Sequence, residues 1–203
     1  MNNAVTAKTL VIAEKPSVAQ DIVRALTPES GKFDKFDDHF ENERFVVTSA
    51  VGHLLEIQAP ESHEVKRGKW SFAHLPVIPP HFALKPIEKT ESRLKLLTKL
   101  IKRKEVTGLV NACDAGREGE LIFNYIAQHA KSGKPVERLW LQSMTQPAIR
   151  DGFARLRQAT EMTGLGDAAV CRSESDWLVG INGTRAMTAF NSKTGGFHLT
   201  TVG

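Results

Sequence analysis

The 203-residue sequence predicts an α/β fold: a mostly parallel sheet flanked by helices, with the first helices of a second, mainly helical domain behind it. Three observations carry this. Apolar runs of strand length recur at 8–13 (KTLVIA), 44–50 (RFVVTSA), 106–113 (VTGLVNAC) and 136–143 (VERLWLQS). Stretches with helical apolar spacing separate them, and strands alternating with helices favour a parallel sheet. Proline or a capping residue marks the breaks, at Pro16 and at Thr145 with Pro147.

The first strand ends at Glu14-Lys15-Pro16, where the proline holds Lys15 out of helical geometry and opens a helix. Val18, Ile22 and Leu26 recur on one face of that helix, to about Leu26. FDKFDDHFENE reads as an exposed hairpin or loop before the strand 44–50. From about 60 to 86 the chain is rich in proline and histidine without a sustained period, so an ordered loop is expected. Leu94, Leu97, Leu100 and Ile101 form an apolar face between Lys89 and Arg103, and the basic residues around it, Arg93 among them, read as a solvated surface. A helix from about Arg117 carries Leu121, Ile122, Tyr125 and Ile126, and another runs from Thr145 to about Leu156. Between Gln158 and Gly166 the alternation breaks. The sequence therefore divides into 1–156 and 157–203, the latter dominated by one long helix from about Asp167.

Composition narrows the function classes. Charged residues make up 25%, apolar residues 41%, and the formal charge is +4, as in ordinary globular proteins with a mild preference for anionic partners. Cys113 and Cys171 lack metal-ligand spacing and read as reduced thiols. No run approaches the ~20 apolar residues of a membrane span, and no leader is evident, so a soluble cytoplasmic protein is expected. The ending HLTTVG reads like a cut through a longer protein. Neither GxxxxGK[ST] nor GxGxxG occurs, which gives no support to a nucleotide cofactor.

The chemistry concentrates at strand ends. In a parallel sheet the loops after the strands gather at one edge, where α/β proteins place ligands. Glu14 follows the first strand and Asp114 the strand 106–113, with Glu118 one helical turn further on. If those strands are neighbours, three carboxylates converge without histidine or cysteine, a donor set suited to Mg²⁺. Lys15 and Arg117 beside them suit a phosphate. Acidic residues in a first helical turn also complement the helix dipole; Glu14-Lys15 behind a second strand turns the balance toward a metal site.

LVIAEKPSVAQDI followed by NACDAGREGELIF resembles the TOPRIM domain of type IA DNA topoisomerases, a Rossmann-like fold. GHLLE (52–56), LPVIP (75–79) and DWLVGINGTRA (176–186) place the likeness in the topoisomerase III-like branch. The resemblance implies an ATP-independent enzyme that cleaves one DNA strand through a tyrosine ester, passes another and reseals. It implies Mg²⁺ on Asp114 and Glu118, helped by Glu14. Glu14 itself would serve as proton donor or phosphate-side group, and Lys15 and Arg117 would neutralise the scissile phosphate. Gly116 stands where the family's DxDxE motif has its second aspartate, so one ion is expected rather than two. Tyr125, the sole tyrosine, falls on an apolar helix face and reads as core, which leaves this chain without the nucleophile.

On the long helix, Asn182 and Arg185 share a face, with Arg172 about three turns earlier. By the resemblance these three would guide single-stranded DNA, the expected partner of a monomeric protein. His53 either lines that groove or is satisfied by its own loop. Two other classes compete: a nuclease activating water with the same carboxylates, and a single-strand-binding module without chemistry.

Overall fold

A computed structural model describes residues 6–58, 70–192 and 198–202. The histidine-rich stretch 59–69, expected as part of an ordered loop, lies outside the described residues. The strands are β1 (Lys8–Ala13), β2 (Asp34–Lys35), β3 (Phe40–Glu41), β4 (Phe45–Ser49), β5 (Leu55–Ile57), β6 (Leu84–Pro86), β7 (Val106–Ala112), β8 (Val136–Arg138) and β9 (Arg157–Gln158). The helices are α1 (Pro16–Ser30), α2 (Glu91–Ile101), α3 (Arg117–His129), α4 (Gln146–Ala154) and α5 (Thr163–Asn191).

Seven strands form one sheet in the order β2-β3-β4-β1-β7-β8-β9. The four central strands β4, β1, β7 and β8 are parallel, and antiparallel ribbons finish both edges. Alternation along the central strands supplies both faces. Val11, Ala13, Val47, Val110 and Ala112 point to one side, where Ala19, Ile22 and Ala25 of α1 and Ile149 of α4 complete a core. Leu94, Leu97, Leu100 and Ile101 of α2 and Leu121, Ile122, Tyr125 and Ile126 of α3 are buried in the other helical layer.

The structure departs from the sequence expectations in particular places. The run from 136 forms a strand only through Arg138, whose side chain turns into the protein to meet the end of β7. Arg93 of α2 is not solvated: its guanidinium donates to the carbonyls of Ser49 and Asp38 and to Thr48 Oγ1 (2.7 Å). Arg103, just beyond α2, pairs with Glu41 (2.6 Å) and Glu105 (2.7 Å). Helix α5 begins at Thr163, a turn earlier than expected.

Two compact units divide the chain: residues 1–55 with 86–169, which carry the seven-stranded sheet, and residues 56–85 with 170–203. In the second unit the excursion 70–85 is fastened to α5. Asn182 accepts from the Val77 amide (2.6 Å) and donates to the Val77 carbonyl (2.9 Å), and Phe82 meets Trp177 edge-on at 5.8 Å. Gly183 gives Val202 room; a Cβ there would lie 3.0 Å from its side chain.

Candidate metal and phosphate site

Register builds the site. Ala13 of β1 is level with Ser49 of β4 and Ala112 of β7, so Glu14, Ala50 and Cys113 leave the sheet together. Pairing persists briefly beyond, with the amides of Ala50 and Val51 donating to the carbonyls of Ala13 and Glu14 (both 2.8 Å). Lys15 is extended (φ −115°, ψ 147°) and precedes Pro16 at the start of α1, as the Glu-Lys-Pro sequence dictates.

Lys15 joins the two acidic strand ends. Its Nζ lies 2.7 Å from Asp114 Oδ2 and 3.6 Å from Glu14 Oε1. The Asp114 hydrogen bond and charge, with Glu14 behind them, raise the lysine pKa above its ordinary value, so it remains cationic. Glu14 is nearly enclosed, its side chain 13% exposed, and its Oε2 is buried without a hydrogen-bond partner. A buried carboxylate oxygen in that state is a place for a proton or a cation. Asp114 is half exposed and Glu118 more so.

Glu118 is engaged elsewhere. Its Oε1 contacts His53 Nε2. The turn that delivers His53 carries positive φ at both Val51 (65°) and Gly52 (88°). For a β-branched valine that conformation is unfavourable, and such residues concentrate at functional edges. Arg117 is exposed, and among the described residues its guanidinium makes no ion pair. Nor do three His, Cys, Asp or Glu side chains among the described residues cluster tightly enough to hold a metal jointly. Glu14 and Asp114 are thus brought together through Lys15, while Glu118 points to His53. The donor set fits a magnesium ion that keeps most of its waters, for which one or two carboxylates suffice.

The sequence reading missed two supports. Arg138, 1% exposed, donates to Glu120 and to main-chain carbonyls around the β7–α3 turn. Arg93 does the equivalent at the end of β4. The one signal available was an arginine amid the apolar residues of VERLWL. Cys113, directly behind Asp114, is 3% exposed, and burial pushes its thiol up to about 12.

The residues expected to guide DNA lie in the second unit. Arg172 is exposed and pairs with Asp176 (3.4 Å). Asn182 spends its amide on Val77. Arg185 is buried, its guanidinium 5.6 Å from the Trp70 ring centroid.

The sheet, with a lysine and carboxylates gathered where adjacent parallel strands end, defines an α/β domain with a charged edge. A family model described as the Toprim domain matches residues 9–144, more than half of the chain, and the chain belongs to that family. It is 42% identical over 188 residues to DNA topoisomerase 3 of Bacillus thuringiensis (strain Al Hakam), covering 92% of this chain and 25% of that protein. DNA topoisomerase 3 of Staphylococcus haemolyticus (strain JCSC1435) is also 42% identical, over 89% of this chain and 25% of its own length. The chain therefore spans about a quarter of the length of these curated relatives. The solved structure of full-length topoisomerase I from Thermotoga maritima superposes with a TM-score of 0.57 at 21% identity, over 86% of this chain and 25% of that one. That likeness is one of fold.

Proposed function

We propose that this chain supplies the cation- and phosphate-binding half of the strand-cleaving centre of a type IA DNA topoisomerase of the topoisomerase III-like branch. The observation that carries the reading is Lys15 bridging Glu14 and Asp114 across the ends of two adjacent parallel strands. Lys15 donates to a non-bridging oxygen of the scissile phosphate, exchanging one carboxylate partner for another anion. The partnerless Oε2 of Glu14 holds or releases the proton of the hydroxyl that leaves or re-attacks. Arg117, exposed at the start of α3, adds positive charge beside the phosphate.

Toprim domains bind Mg²⁺ in general; here Asp114 and Glu118 would hold it, with Glu14 alongside. Bound there, it neutralises phosphate charge. Gly116 contributes no side-chain oxygen, which favours one ion over two. Tyr125 is buried in α3, so the nucleophile is not among these residues and the chain alone should not relax DNA.

In this reading the partner is single-stranded DNA, or duplex with single-stranded regions, engaged by a monomer in the cytoplasm without a nucleotide cofactor. The stretch 157–203 is the start of the DNA-binding domain. Arg172 reaches a backbone phosphate, while Asn182 and Arg185 shape the groove by holding Val77 and Trp70.

The test is incubation of the chain with negatively supercoiled plasmid and Mg²⁺, beside Glu14→Ala and Asp114→Ala, together with anisotropy on a labelled single strand. Neither relaxation nor nicking is expected. Single-strand binding should be strengthened by Mg²⁺ and weakened in Lys15→Ala. Nicking that disappears in both acidic variants would make the protein a nuclease. Binding indifferent to Mg²⁺ and to Lys15 would make it a binding module.

A further inference from the structure

We infer that Arg138 is a positioning residue for the cation site, acting on the backbone of the turn that carries Asp114. The inference rests on the metal reading of Asp114 and Glu118 above. Arg138 sits on β8, beside β7, and its side chain is essentially closed to solvent. Its Nε donates to Glu120 Oε1 (2.6 Å). Its Nη1 donates to the carbonyls of Cys113 (2.7 Å), Leu139 (2.8 Å) and Asn111 (3.1 Å), and its Nη2 to that of Asp114 (2.8 Å). Three of those carbonyls belong to the four residues 111–114, where β7 ends and the acidic turn begins.

The planar guanidinium fork is what makes this possible, since five fixed N–H groups can serve several acceptors at once. A lysine ammonium could keep Glu120 but not span the carbonyls. Glu120, 3% exposed, lies two residues beyond Glu118 and also accepts from Asn111 Nδ2 (3.3 Å). Arg138 therefore grips the turn from both sides, by the main chain before Asp114 and through α3 after Glu118. Packing leaves the turn little freedom: a Cβ at Gly119 would lie 2.1 Å from the Asp114 carbonyl oxygen. Nothing in this arrangement touches phosphate or metal. Its effect is to fix the spacing of the two carboxylates that do.

A buried ion pair that merely stabilises the fold would look similar, and the two partners separate the cases. Mg²⁺ binding to the full chain is measured by calorimetry for wild type, Arg138→Lys, Glu120→Gln and the paired Arg138→Met/Glu120→Met variant, with Asp114→Ala as the site control. Thermal melting and amide exchange of 113–118 are followed in parallel. The paired methionine variant guards against a lone charge unfolding the core, because apolar pairs of similar volume replace buried ion pairs well. Expected is a loss of Mg²⁺ affinity of at least about tenfold in Arg138→Lys and in the paired variant, as for other residues that orient ligands. Glu120→Gln, which keeps the carbonyl grip, should melt lower yet bind within about threefold of wild type. Exchange across 113–118 should quicken in the Arg138 variants and not in Glu120→Gln. Wild-type affinity and exchange in the paired variant would overturn the inference. If wild type and Asp114→Ala bind Mg²⁺ alike, the metal reading fails instead, and the exchange rates still decide whether Arg138 holds the turn.

Discussion

Gly116 is the residue on which the proposed one-ion capacity of the site turns. It is the N-cap of α3, its φ of 165° is extended backbone open to any residue, and a Cβ there would meet nothing within 4 Å. An aspartate is therefore accommodated sterically and favoured as a cap, worth about 0.3 kcal/mol over glycine. It would also add a third carboxylate to a turn already carrying Asp114 and Glu118, a repulsion that Mg²⁺ relieves. Gly116→Asp should melt close to wild type without metal and show the larger upward shift on adding Mg²⁺, read in paired thermal melts. An equal shift in both proteins would mean that a carboxylate at 116 does not reach the ion. Gly119, three residues on, has no such latitude, because the Asp114 backbone occupies the space a side chain would need.

At the scale of elements, β1, β7, α1 and α3 were legible because apolar period and turn chemistry agree there. KTLVIA and VTGLVNAC have strand length, and Pro16 fixes where the first helix starts. That β1 and β7 are neighbours, which brings Glu14 and Asp114 together, was a supposition until register fixed it. Arg93, Arg138 and Glu120 were illegible for the opposite reason: a charge buried against carbonyls has the same letter as one in water, and only the fold supplies its acceptors. The ribbon β2–β3 is held to the foot of the sheet by such charges. Glu41 of β3 takes hydrogen bonds from Lys8 (2.6 Å) and from two nitrogens of Arg103 (2.6 and 2.8 Å). Burial alone would raise its pKa, but those cations outweigh it and bring it from 4.5 to about 2. A carboxylate depressed in the folded state stabilises fully above its unfolded pKa and loses that contribution as pH falls through the folded one. The melting temperature should therefore drop between about pH 4.5 and pH 2. After screening, roughly 1–2 kcal/mol is at stake. Glu41→Gln should start lower at neutral pH and vary less across that window, and an unchanged acid slope in the variant would assign the loss to other groups.

At the scale of the whole molecule the chain divides into two compact units, each with its own attachments. Asn182 illustrates the second: the resemblance implies a groove residue, yet its amide satisfies both main-chain groups of Val77, a residue with no exposed surface. Asn182→Ala strands those groups, at about 1–3 kcal/mol. The effect should remain local, with faster protease cleavage within 70–85 while amide exchange in β1 and β7 holds its wild-type rate. Slowed cleavage, or loosening of β1 and β7 together with the loop, would show that the excursion is fastened by something other than this side chain. The contrast between the two thiols has a practical side. Cys113 is sealed behind the acidic turn with its proton held to about pH 12, whereas Cys171 stands exposed on α5. A maleimide dye offered to the native protein has one address, far along the chain from every carboxylate at issue. The molecule thus comes ready for single-colour fluorescence, with the reporter on the unit proposed to hold the strand and none on the unit proposed to bind the cation and phosphate.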